Sequence, residues 1–145
     1  MSDTEGLYTL FLETFLILDD NERHFFSKYD LSSARYHALW HVQRKPGLSL
    51  RELSDLLICT KGNTTRIVKI LEARSYLTRQ VDAQDNRVLC LYLTEKGQQL
   101  LEVVSEAYRA FKHACYGHLS PGEQITLQQD LHSLKDHLRD QLQTL

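Results

Sequence analysis

The sequence predicts a mainly α-helical fold with a small β-hairpin wing: a winged helix-turn-helix carrying further helices at both ends. Three observations lead there. Two short helical patterns meet at Cys59-Thr60-Lys61-Gly62-Asn63. Two runs rich in β-branched, aromatic and aliphatic residues, 76–81 and 88–93, bracket the polar loop 82–87, as the arms of a hairpin do. Long helical periodicities occupy the N-terminal and C-terminal thirds.

In chain order, Leu7, Leu10, Phe11, Phe15 and Leu18 recur at helical spacing, and Leu12, Leu16 and Ile17 surround them. The first helix is therefore apolar on more than one side and needs more partners than one small core offers. Glu13 interrupts this run and acids precede it, so it is expected to be neither a signal peptide nor a membrane span. Ser32 can cap a second helix in which Ala34, Ala38, Leu39, Trp40 and Val42 pack inward, ending before the turn signal Pro46-Gly47.

The third helix opens on a capping box. The Ser49 hydroxyl can bond the Glu52 backbone N–H, and Glu52 can reach back to the N–H of Ser49. Leu50, Leu53, Leu56 and Leu57 give this helix one apolar face. Thr60 is the expected N-cap of the fourth helix, where Ile67, Ile70 and Leu71, with Val68 beside them, form the inward stripe. Lys61, Asn63, Thr64, Arg66 and Lys69 are left for the outward face. That inventory suits a helix in a major groove: Asn and Arg bond base edges in pairs, Thr bonds a base or touches a thymine methyl, and Lys neutralises phosphate.

Thr94 caps a fifth helix with the stripe Leu100, Leu101, Val104, Ala107, Tyr108, Phe111, Ala114 and Cys115. A sixth opens at Ser120-Pro121-Gly122-Glu123, a capping box with proline at the first helical position. Its Leu127, Leu131, Leu134, Leu138 and Leu142 follow a near-heptad spacing, the pattern of a helix–helix seam.

The chain has 145 residues and a formal net charge of −2, which argues weakly against nucleic acid until the distribution is considered. Residues 1–30 hold seven acids and two bases, whereas residues 44–79 hold eight bases and three acids. A basic middle in an acidic chain is the electrostatic footprint of a DNA-contacting surface. Cysteines 59, 90 and 115 form neither a metal-type pair nor an even disulfide set, so a reduced, cytoplasmic setting is expected. No catalytic constellation, glycine-rich phosphate loop or nucleophile elbow is present, so the chain reads as a non-enzyme without cofactor or metal.

Three segments together resemble the multiple-antibiotic-resistance regulators (MarR family) of bacterial transcription. They are Asn63-Thr64-Thr65-Arg66-Ile67-Val68-Lys69-Ile70-Leu71-Glu72, the wing Asp82-x-x-Asp85-x-Arg87, and Leu93-Thr94-Glu95-Lys96-Gly97. The resemblance implies a homodimer on a two-fold-symmetric double-stranded operator, a repressor released by a small-molecule effector bound between the dimer helices and the DNA-binding lobe. Its parts would be residues 1–30 for dimerisation, 31–94 for the DNA-binding winged helix and 95–145 for dimerisation. Two recognition helices would then face successive major grooves, about 34 Å apart.

The DNA-contacting set expected from the residues and the resemblance is Thr60, Lys61, Asn63, Thr64, Thr65, Arg66 and Lys69, with Asp85, Asn86 and Arg87 on the wing. Two positions depart from the family pattern. Asn86 stands where a second wing arginine is usual, and Ser75 where glycine usually ends the recognition helix. Ser75 would be strained if the position is left-handed.

Three further residues are candidate sensors. His37 and His41 lie one helical turn apart and could line an effector pocket or, with His113, hold a metal as in some family members. Cys59, before a basic helix, could act as a redox switch. The alternatives are therefore a metal- or redox-responsive sensor on the same scaffold, and a protein-interaction module that has lost DNA binding.

Overall fold

The computed structural model describes residues 1–57 and 61–145, Lys61 by its backbone alone. The chain divides into two compact units, Met1–Ser105 and Glu106–Leu145.

The first unit opens with α1 (Thr4–Ser27), capped by Asp3, whose carboxylate accepts from the Gly6 N–H at 2.8 Å. α1 closes on a left-handed residue, Asp30 (φ 55°), with Leu31 N–H bonding the Phe26 carbonyl at 3.0 Å and Asp30 N–H that of Ser27 at 3.1 Å. This is a Schellman closure, and it buries Phe26 and Leu31 together at the turn. Ser32 caps α2 (Ser33–Arg44) as expected, accepting from the Arg35 N–H at 3.2 Å. Ala38, Leu39 and Val42 of α2 are buried, but Ala34 is exposed and Trp40 half-buried, contrary to the expected inward set. Tyr36 takes a core place instead, its hydroxyl 2.9 Å from that of Ser105. Gly47, at φ 86°, makes the expected turn.

A short strand that the sequence reading did not anticipate follows: β1 (Leu48–Ser49). It leads into α3 (Leu50–Leu57), where the Ser49–Glu52 box forms as expected, with bonds of 3.0 Å and 3.4 Å. Next come α4 (Lys61–Ala73) and the hairpin β2 (Leu77–Val81) and β3 (Leu89–Leu93), in register Leu77↔Leu93 through Val81↔Leu89. β1 adds to the far edge of β3, giving the antiparallel order β1-β3-β2. The core of this unit joins Phe26, Leu39, Leu53, Leu71, Leu91 and Leu101, each with at most 1% of its surface exposed. Complete burial of such side chains is the dominant stabilising contribution, about 1.5–3 kcal/mol apiece.

α5 (Glu95–Tyr116) begins in this unit, with Leu101 and Val104 buried, and ends in the second. Ala114, expected on its inward stripe, is exposed. In the second unit Tyr108 stacks on Phe111, with ring centroids 6.0 Å apart. The capping box of Ser120 and Glu123 opens α6 (Pro121–Gln143), whose five seam leucines are 38–71% exposed on this chain. No helix among the described residues is long and apolar enough to cross a membrane.

Candidate nucleic-acid interface

The polar face of α4 is defined by what its other face buries. Ile67, Val68 and Leu71 are sealed against the core, and Thr64, three, four and seven residues before them, is sealed with them at 0% exposure. Its hydroxyl donates to Ser54 Oγ of α3 at 3.1 Å. This corrects the outward placement expected for Thr64: helical geometry puts it on the inward stripe, where it ties α3 to α4. Arg66 and Lys69 are exposed, while Asn63 and Thr65 are half-buried beside them. Arg66 Nη2 donates to Asn63 Oδ1 at 2.7 Å, so the two side chains best suited to base edges are held as a pair one turn apart.

Several bases of the cationic middle are engaged within the chain. Glu72 and Arg79 form a two-pronged ion pair, both bonds 2.9 Å, between α4 and β2. The Arg79 guanidinium holds the Glu72 carboxyl below its ordinary range, and Glu72 raises Arg79 in turn. Arg74 donates to the Asp30 carbonyl and lies 3.3 Å from its carboxylate; Lys45 pairs with Glu52; Arg44 covers the Trp40 ring at 4.6 Å. Arg51, Arg66 and Lys69 have no carboxylate partner among the described residues. The charge available to a phosphate backbone is therefore concentrated on the exposed faces of α3 and α4.

At the wing tip, Asp85 acts as a bracket for Arg87. Its Oδ1 accepts from the Arg87 backbone N–H at 3.0 Å and from Nε at 3.1 Å, and Oδ2 from Nη2 at 3.4 Å. Bonding to Arg87 holds the Asp85 carboxyl below its usual value. The Arg87 side chain is 90% exposed, so its guanidinium is presented outward although its base is fixed. Asn86 is exposed beside it.

Ser75 closes α4 at φ 66°, with Tyr76 N–H bonding the Leu71 carbonyl and Ser75 N–H that of Glu72, both at 2.9 Å. The position is thus left-handed and carries a β-carbon there. His37 and His41 line a cleft of about 350 Å³ between α2 and α3 that reaches Asn63. His37 Nδ1 donates to the Ser33 carbonyl at 2.7 Å. Burial, then the neighbouring His37 and Arg44, lower the His41 pKa. Among the described residues no three His, Cys, Asp or Glu side chains are grouped to hold a metal ion. Thr60 and Cys59 lie outside the described residues, as does the side chain of Lys61.

A pair of consecutive short helices with arginine on the open face of the second, followed by a hairpin with arginine at its tip, defines the winged helix-turn-helix class. Residues 31–89 match the family model described as the MarR family, and the chain belongs to this family. It is 30% identical over 109 residues to the HTH-type transcriptional regulator PetP of Rhodobacter capsulatus, covering 75% of this chain and 66% of that one, a little under two thirds of the relative's length. It is 26% identical over 108 residues to the regulator BilQ of Clostridioides difficile, covering 74% and 73%. The fold is similar to that in the crystal structure of the S. aureus MepR–DNA complex, with a TM-score of 0.80, 21% identity, and 90% and 96% of the two chains covered.

Proposed function

We propose that the chain is a cytoplasmic, homodimeric DNA-binding regulator that represses transcription and is released by a small-molecule effector. Residues 31–94 form the DNA-binding lobe in this reading, and 1–30 and 95–145 the dimer. Asn63, Thr65 and Arg66 read base edges, and Lys61 and Lys69 hold phosphates. Arg87, braced by Asp85 and flanked by Asn86, reaches the adjacent minor groove or backbone. Thr64 has no part in readout and acts as the bolt between α3 and α4.

The observation that carries this reading is the Arg66–Asn63 pair on the open face of α4, opposite a stripe buried to 6% exposure or less. Such an arrangement fixes which side chains can enter a groove. The exposed apolar surfaces of α1 and α6 support the dimer, because single-chain folding leaves them in water. The His37–His41 cleft supports an effector site, since a ligand there would lie against Asn63.

The test is selection of bound duplexes from a random library by the purified protein, followed by a salt titration on the winners. A two-fold-symmetric site with half-sites about one helical turn apart and a steep salt slope is the expected result. Recovery of no sequence preference at low salt would overturn the reading in favour of a protein-interaction module.

A further inference from the structure

Among the described residues, Asp30 and Ser75 are the non-glycine positions with left-handed backbone, at φ 55° and 66°. One ends α1 and the other α4, each in the same closure: the N–H of the next residue turns back onto the helix, Leu31 to the Phe26 carbonyl and Tyr76 to that of Leu71. Left-handed backbone carrying a β-carbon persists where its surroundings over-determine it. Here one side chain joins the two turns. Arg74, the residue before Ser75, donates through Nη1 to the Asp30 carbonyl and lies 3.3 Å from the Asp30 carboxylate.

The two parts of this contact are unequal. The Asp30 carboxylate is 84% exposed, so water screens its attraction for the guanidinium and it contributes little. The carbonyl belongs to the turn itself, and the hydrogen bond to it ties α4 to the end of α1 across 44 residues of sequence. Arg74 is also held from behind. Its own N–H bonds the Ile70 carbonyl at 3.1 Å within α4, and its carbonyl accepts from Lys96 Nζ of α5 at 3.1 Å.

We propose that Arg74 is a positioning residue for DNA recognition: it sets the angle of α4 to α1, and with it the half-site spacing that the protein accepts. This rests on the homodimer reading, in which α1 belongs to the dimer and α4 enters the groove. A stiff path from the dimer to each recognition helix makes operator spacing a property of the protein, whereas a loose one lets each helix settle into its own groove.

The experiment measures affinity at one salt concentration for two duplexes, the selected two-fold-symmetric operator and the same operator with one base pair inserted between its half-sites. The insertion moves one half-site by about 3.4 Å and turns it by about 34°, and the unaltered chain is expected to lose about tenfold or more in affinity. Arg74→Ala is expected to shrink that ratio by about threefold or more. Arg74→Gln, too short to span to Asp30, should do the same. Arg74→Lys, which can reach the carbonyl with a single ammonium, should restore part of the ratio. Asp30→Asn, which keeps the carbonyl and tolerates left-handed backbone, should change it little.

Circular dichroism supplies the folded fraction by which each affinity is corrected. A ratio unchanged in both Arg74→Ala and Arg74→Gln overturns the proposal. If both duplexes then weaken alike and the salt slope drops by about one, Arg74 is a phosphate contact; if only the melting point falls, the contact is structural alone. A ratio that shrinks as far in Asp30→Asn as in Arg74→Ala overturns the assignment to the carbonyl. An unaltered chain that selects no two-fold-symmetric site overturns the dimeric reading beneath the proposal, whereas one that selects such a site yet binds both duplexes equally overturns the proposal itself.

Discussion

Replacing Thr64 with valine separates the two roles this residue could have. Threonine and valine have nearly the same shape and similar helix propensity, so the substitution removes one buried hydroxyl from α4 and little else. That hydroxyl donates to Ser54 Oγ at 3.1 Å, and Thr64 is 0% and Ser54 7% exposed. A neutral hydrogen bond of this kind contributes about 0.5–1.5 kcal/mol net, so Thr64→Val should lower stability by about 1 kcal/mol. Ser54→Ala should cost a similar amount, and the double variant less than the sum, because the second substitution removes a bond already lost. Urea melts followed by circular dichroism at one fixed protein concentration measure all three variants, with an unchanged m-value expected. Sequence preference, measured on the selected operator with the folded fraction taken into account, should not change. A Thr64→Val protein that melts like the unaltered chain but loses its base preference would refute the placement of Thr64 as a bolt.

Arg66→Ala should cost roughly 1–3 kcal/mol of operator affinity and relax preference at one base position, whereas Lys69→Ala should weaken all duplexes alike and reduce the salt slope by about one; titrations on operator and random duplex distinguish them. Ser75→Gly should raise stability by about 0.5–1 kcal/mol, since it relieves a β-carbon at φ 66° although glycine is freer when unfolded; an unchanged melting midpoint would count against strain there. Glu72→Gln should cost about 0.5–1 kcal/mol at neutral pH, a modest figure because the pair with Arg79 is about one-third exposed. Because the folded Glu72 carboxyl titrates below its ordinary value, its contribution is present above that value and lost as pH falls through the lowered one. Melts of the two proteins should therefore converge in acid, and a gap that persists there would refute the ion-pair account.

The capping boxes at Ser49 and Ser120 and the cap at Ser32 were legible because they are local: each depends on residues three apart and forms as the spacing requires. The hairpin was legible to within a residue at each arm for the same reason. Thr64 was misplaced although its spacing to Val68 and Leu71 was visible, because a polar residue type outweighed helical position. Its partner Ser54, ten residues away on another helix, is what makes burial of the hydroxyl tolerable, and nothing at Thr64 itself announces that partner. The same limit applies to charge: counting bases over residues 44–79 treats Arg74 and Arg79 as available, yet Asp30 and Glu72 engage them across tertiary contacts. β1 escaped notice because two residues carry no periodicity; they pair only because β3 offers an open edge.

The segment Thr94-Glu95-Lys96-Gly97 fixes the C-terminal end of α4 without taking part in its open face. Thr94 donates its hydroxyl to the Ser75 carbonyl and its backbone N–H to that of Tyr76 at 3.1 Å, while accepting the Gly97 N–H at 3.0 Å. Lys96 reaches the Arg74 carbonyl at 3.1 Å, and a β-carbon at Gly97 would stand 2.2 Å from the Tyr76 oxygen, so no other residue permits this approach. On the opposite side Arg74 grips the turn at Asp30 that ends α1. The C-terminal end of α4 is therefore bonded both to the first turn of α5 and to the last of α1, whereas the Arg66–Asn63 pair near its other end faces outward. In the proposed regulation, displacing α1 or the start of α5 would turn α4 about that bonded end. In the proposed regulation an effector needs no contact with Arg66 to change what Arg66 can reach. It needs only to favour one of two arrangements of the helices bonded to Arg74, Ser75 and Tyr76, and the shift it produces is bounded by its difference in affinity between them.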